Sequence, residues 1–134
     1  MSPGKLAAQV SHGSMAFLIT MIRRKMYLRY RDSEIESYAT LAEFERGLVE
    51  EWMNGIFTKV VLEAKNRNDL LKAQTLAESL GMKKNEDFFL IYDVCNAELQ
   101  PEEEDGTTLT CIGFKPMPSE VINQIGKKYQ LYKG

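Results

Sequence analysis

The sequence predicts an α/β fold, a small sheet covered by helices on both faces, and three observations carry that expectation. A β-branched segment, Thr58-Lys59-Val60-Val61-Leu62, is followed by a helical pattern over 69–80 and then by an apolar run, Phe88-Phe89-Leu90-Ile91-Tyr92. Strand–helix–strand order of this kind places strands in a sheet and packs the intervening helix against it. With 134 residues, 44% of them hydrophobic, the chain is long enough for one domain with a real core.

The first helix is expected from Ser2, a good N-cap, and Pro3, suited to the first helical position, through about Leu28. Leu6, Val10, Phe17, Met21 and Leu28 form its apolar stripe, and Gly13-Ser14 marks a place of close packing. Thr40-Leu41-Ala42-Glu43 reads as a capping box that opens a second helix, with Leu41, Phe44, Leu48 and Trp52 inward and Asn54-Gly55 at its end. The segment 58–62 is expected as a buried strand. Asn68 is the expected cap of a third helix that ends at Gly81, and 88–92 is the next strand. Glu102-Glu103-Glu104-Asp105-Gly106 is expected as a solvated loop. Residues 107–114 then form a strand in which Thr108 and Thr110 alternate with Leu109 and Cys111. Pro118-Ser119-Glu120 opens a last short helix, and 129–132 is either one more strand or a packed tail.

Composition narrows the chemistry. The formal net charge of -2 argues against a uniformly basic nucleic-acid coat, though not against a local basic patch. Two cysteines and one histidine suit neither a disulfide framework nor most metal centres, and they fit a reducing cytoplasm. The apolar run 17–22 has its basic residues after it, unlike a secretory signal. The charge is segregated: residues 1–31 carry +6 and residues 32–51 carry -6. Such blocks mark either a nucleic-acid face or two helices pairing their charges.

Lys5, Gln9 and His12 are spaced to share one helix face near an N-terminus, where free N–H groups and a lysine charge suit a phosphate or a developing oxyanion. Each residue taken singly is also an ordinary solvated or structural side chain. Asp93 follows an apolar strand, at the end where ligands gather in α/β sheets, and could either activate a water or simply form a turn. Neither cysteine has a basic neighbour in sequence that would activate a thiolate.

The run Gly4-Lys5-Leu6-Ala7-Ala8-Gln9-Val10-Ser11-His12 resembles the signature helix of the archaeal and eukaryotic (type 2) peptidyl-tRNA hydrolases. Trp52, Gly55, Lys59-Val60-Val61-Leu62, Asp93, Pro101 and Thr108-Leu109-Thr110-Cys111-Ile112-Gly113 are similar to that family's later landmarks, in order. The resemblance covers nearly the whole chain. It implies a three-layer α/β/α domain over 1–134 with a small mixed sheet, no metal or cofactor, and hydrolysis of the ester that joins a peptide to tRNA. Carried over, Lys5, His12 and Asp93 are expected to be catalytic and Gln9 and Thr108 to bind substrate, with Arg23, Arg24, Lys25, Lys83 and Lys84 facing the tRNA backbone.

The sequence also departs from the family pattern. Cys95 replaces a turn glycine, Ala97 a site threonine, the acidic loop is about three residues longer, and an insertion is expected around 29–40. The family opens on an apolar strand ahead of the Gly-Lys motif, whereas this sequence starts at the motif. The expected sheet therefore either lacks that strand, gains it from an upstream segment (Met1 being then internal), or is completed by a second copy in a homodimer. Alternatives to the hydrolase are a catalytically impaired homologue that binds tRNA or a protein, and a dimerisation module with paired charge blocks.

Overall fold

The computed structural model describes residues 1–29, 47, 50–56, 58–94 and 101–134. Its elements run α1 (Pro3–Arg29), β1 (Leu62–Glu63), α2 (Arg67–Ser79), β2 (Phe88–Asp93), β3 (Thr108–Phe114), α3 (Ser119–Gly126) and β4 (Gln130–Leu131). The α/β class is as expected. Among the described residues the strands pair as two antiparallel ribbons, β2 with β3 and β1 with β4. The capping box at Thr40, the insertion expected around 29–40 beyond Arg29 itself, Cys95 and Ala97 lie outside the described residues.

Helix α1 starts where the sequence places it. The Ser2 hydroxyl accepts the Lys5 amide at 3.2 Å and the Ser2 carbonyl accepts that of Leu6 at 2.9 Å, which takes up two first-turn donors. Its most buried residues are Gln9, Gly13 and Phe17, four apart, so its inward face is partly polar. Phe17 meets Trp52 edge-on at 5.5 Å, and the Trp52 indole N–H donates to the Thr58 carbonyl at 2.9 Å. The first contact fastens Trp52 to the helix, and the second ties Thr58 to Trp52.

The ribbon β2–β3 has helices on both faces, as period-2 alternation requires. Phe88, Leu90, Ile112 and Phe114 point to a core shared with Ala73 and Ala77 of α2 and Ile125 of α3. Phe88 and Ala77 are wholly buried there. The opposite face receives α1. Gly13 lies against Gly113, and a Cβ added to Gly113 would stand 2.0 Å from the Gly13 carbonyl oxygen.

Three expectations are corrected. The segment 58–62 is not a buried strand: Val60, Val61 and Leu62 are exposed, and only Leu62–Glu63 pairs, with Gln130–Leu131. Its β-branched residues have the propensity for a ladder, but the partner along it is a two-residue strand that leaves the apolar side chains uncovered. Helix α2 is capped by Asn66, whose side chain accepts the Asp69 amide at 3.0 Å, two residues ahead of the expected Asn68. Either asparagine could cap; extended backbone at Asn66 selects it. Finally, Thr110 does not alternate with Cys111, because the register slips between Ile91 and Tyr92. Ile91 pairs with Cys111 but Tyr92 pairs with Leu109, leaving Thr110 as the extra residue of a bulge.

Candidate active site

The bulge decides what faces α1. In an unbroken ladder Thr108 and Thr110 would sit on the face opposite Cys111. With one residue inserted, Thr110 and Cys111 both point at the helix. The Cys111 thiol donates to the Gln9 carbonyl at 3.2 Å, and the Thr110 hydroxyl lies 2.7 Å from Gln9 Oε1. Asp93, at the end of β2, pairs with Thr108 across the ribbon, and both are buried.

A continuous polar chain results. Lys5 Nζ is 2.5 Å from Asp93 Oδ1, and Gln9 Nε2 donates to the same oxygen at 3.3 Å. A carboxylate only accepts, so the Gln9 amide must turn its nitrogen to Asp93 and its oxygen to Thr110. The Thr110 hydroxyl therefore donates to Gln9, with the Ile91 carbonyl as a second acceptor at 3.1 Å. Both polar ends of buried Gln9 are satisfied, which is what allows an amide at 4% exposure. Asp93 is 7% exposed and the Lys5 side chain 19%, so the pair is screened little by water but opens toward solvent on the lysine side.

The other candidates are distributed more widely. His12 is exposed on α1, one turn beyond Gln9. Thr108 accepts the Glu102 amide at 3.1 Å and so fastens the acidic loop beside Asp93. That loop is less free than expected, since Glu103 forms a two-pronged ion pair with Arg67 at 2.5 and 3.0 Å. Burial pushes the Cys111 thiol up to about 11, far from thiolate chemistry. Arg23 and Arg24 stand at the other end of α1, with Lys83 and Lys84 in the turn before β2. Lys25 lies on the same helix, its side chain outside the description.

Sequence reasoning passed over Thr110 and Arg67. No local signal separates Thr110 from Thr108 in Thr107-Thr108-Leu109-Thr110, because the distinction is made by the bulge.

Comparison with known proteins settles the family. The model of the family described as peptidyl-tRNA hydrolase PTH2 matches residues 1–132. The chain belongs to the PTH2 family. Similar relatives named peptidyl-tRNA hydrolase occur in Methanopyrus kandleri, 32% identical over 93% of this chain and 82% of that protein. Those of Sulfolobus acidocaldarius (28%, covering 93% and 84%) and Thermococcus sibiricus (29%, covering 93% and 81%) are similar over the same extent. Within this PTH2 chain, the Lys5–Asp93–Gln9–Thr110 chain joins the helix of the opening motif to the two core strands.

Proposed function

We propose that this PTH2 protein hydrolyses the ester between a peptide and the 3′ ribose of tRNA, and that Asp93 and Lys5 carry the reaction. The observation that supports it is a buried carboxylate held by an ammonium at 2.5 Å, below the exposed start of α1. The Lys5 ammonium and the Gln9 amide both hold the Asp93 oxygen Oδ1 and so fix the carboxylate in place. As a general base, Asp93 accepts a proton from water as the water oxygen bonds to the ester carbonyl carbon. The carbonyl oxygen becomes negative and is stabilised by Lys5, whose three N–H donors let it serve oxyanion and carboxylate together. The Lys5 amide is already bonded to the Ser2 hydroxyl, so Lys5 acts here through its ammonium. The intermediate then expels the 3′ oxygen of the ribose, which receives the proton. His12, exposed on α1, orients the substrate or assists that transfer in this reading. Gln9 and Thr108 hold the carboxylate end of the site, and Arg23, Arg24, Lys25 and Lys84 meet the tRNA backbone.

Among the described residues no helix is long and apolar enough to cross a membrane. The reading takes the protein to act in the cytoplasm. A second copy would seat on the exposed β1–β4 ribbon, where Val60, Leu131 and Tyr132 face solvent.

The test is release of free tRNA from an N-acetylated aminoacyl-tRNA. Wild type should exceed Asp93→Ala by about 10²–10⁴-fold, the usual worth of a general base. Equal rates would sink the assignment of Asp93, and no release by wild type would sink the hydrolase reading.

A further inference from the structure

The acidic loop joins the two faces of the β2–β3 ribbon at one end. Asp93 and Thr108 are the last pair of that ribbon, and Asp93 meets Lys5 and Gln9 on the α1 face. Arg67 is the first residue of α2, which packs on the opposite face. Residues 102 and 103 bridge the two. The Glu102 amide donates to Thr108 Oγ1 at 3.1 Å, while the Glu103 carboxylate accepts both prongs of Arg67 at 2.5 and 3.0 Å.

The loop is also closed on itself. The Glu102 and Glu103 amides share the Thr107 carbonyl at 3.0 and 2.9 Å. Asp105 accepts from the Thr107 amide at 3.1 Å and from its hydroxyl at 2.6 Å, and Gly106 takes φ 85°. Its shape is therefore set internally, and its seat on the ribbon depends on its anchors. The anchor on α2 is firm, since Asn66 caps the helix through the Asp69 amide and the Tyr129 hydroxyl donates to the Asp69 carbonyl at 2.8 Å. A planar guanidinium bound through two parallel bonds fixes direction as well as distance, which a lysine does not.

We infer that Arg67 is a positioning residue of the hydrolytic site: by clamping Glu103 it seats the loop on the ribbon end and keeps the Glu102 amide on Thr108, beside Asp93. It acts through Glu103, Glu102 and Thr108 and not on a reacting atom. The inference rests on the hydrolase reading for the reaction that Arg67 serves.

Two measurements test it on Arg67→Met, Glu103→Gln and the double variant: hydrogen exchange of the Glu102 amide, and steady-state release of tRNA from an N-acetylated aminoacyl-tRNA. In Arg67→Met the Glu102 amide should exchange about tenfold faster. Its kcat should fall about tenfold, the cost of a displaced site, with KM within about twofold of wild type. Glu103→Gln should match it, and the double variant should be no slower than either single one, because one interaction is lost in all three. Arg67→Lys should not restore the rate. Unchanged exchange or unchanged kcat in Arg67→Met would overturn the inference. So would a rise in KM alone, or recovery of the rate in the uncharged double variant, since either marks a charge effect on the polyanion and not a clamp. A wild type that releases no tRNA removes the hydrolase reading and the positioning role with it, whereas a wild type that cleaves no faster than Arg67→Met overturns this inference alone.

Discussion

Gly13 and Gly113 cross with no room for a side chain between them: a Cβ on Gly113 would approach the Gly13 carbonyl oxygen to 2.0 Å and its Cα to 2.8 Å. This contact sets how deeply α1 lies on the ribbon, and therefore how far Gln9 reaches toward Thr110 and Asp93. The two glycines are not equivalent. A Cβ on Gly13 would meet first the Cys111 sulfur at 3.3 Å, an atom that can give slightly. Gly113→Ala should lower stability by about 3 kcal/mol, the upper end for overpacking, and Gly13→Ala by about 1 kcal/mol or less. Chemical denaturation of the two variants side by side checks the order.

Lys5 and Asp93 form a pair in which the acid is more buried than the base. Lys5→Met leaves the carboxylate buried without its ammonium and should cost about 2 kcal/mol, less than the roughly 3–5 kcal/mol of a fully buried pair. Made in an Asp93→Asn background, the same change should cost close to nothing. A double-mutant cycle reads the coupling directly, and additive losses would show that Lys5 acts by packing alone.

Thr110→Val removes the donor that satisfies Gln9 Oε1 while keeping the β-branched shape. The expected cost is about 1–2 kcal/mol, because a buried amide oxygen is left without its hydrogen bond. Hydrolysis should also slow, since the Gln9 amide is then free to rotate away from Asp93. Thr110→Ser keeps the hydroxyl and should restore most of the rate. A variant pair with equal rates would place Thr110 outside the reaction.

Cys111 titrates at about 11 in the fold, against 9.0 when exposed. The folded protein thus holds a proton that the unfolded chain loses between those values, so this thiol's contribution to stability is full below pH 9 and is lost as pH rises toward 11. Relative to Cys111→Ala, wild type should lose stability over that window. At pH 8 Cys111 should resist alkylation until denaturant is added, which a thiol-counting assay follows by mass.

Much of the fold was legible in the sequence for reasons that are local. Ser2-Pro3 dictates the start of α1, and the apolar runs at 88–92 and 107–114 dictate two strands within a residue of their bounds. Gly81 adopts φ 86° in the turn that ends α2, a conformation its lack of a side chain makes easy. The misreadings share one physical origin, the pairing of distant segments. Val60 and Val61 look like interior strand residues, yet burial depends on what lies across from them. Asn66 and Asn68 have equal capping chemistry, and the choice depends on how the chain enters from β1. Lys5, Gln9 and Asp93 were each visible as candidates, whereas Thr110 was not, since no local pattern reveals which residue of a strand will be skipped by its partner.

That skipped residue has a consequence for how the sheet and the site constrain each other. Deleting Thr110 would give β3 an uninterrupted ladder against β2, a gain in regular pairing by any measure of strand geometry. It would also leave Gln9 without its hydroxyl partner and the Gln9–Asp93 contact without its anchor. The irregularity is therefore the feature that ties the opening motif to the core strands: selection for a more orderly sheet and selection for a working site pull this strand in opposite directions, and the fold as it stands keeps the flaw.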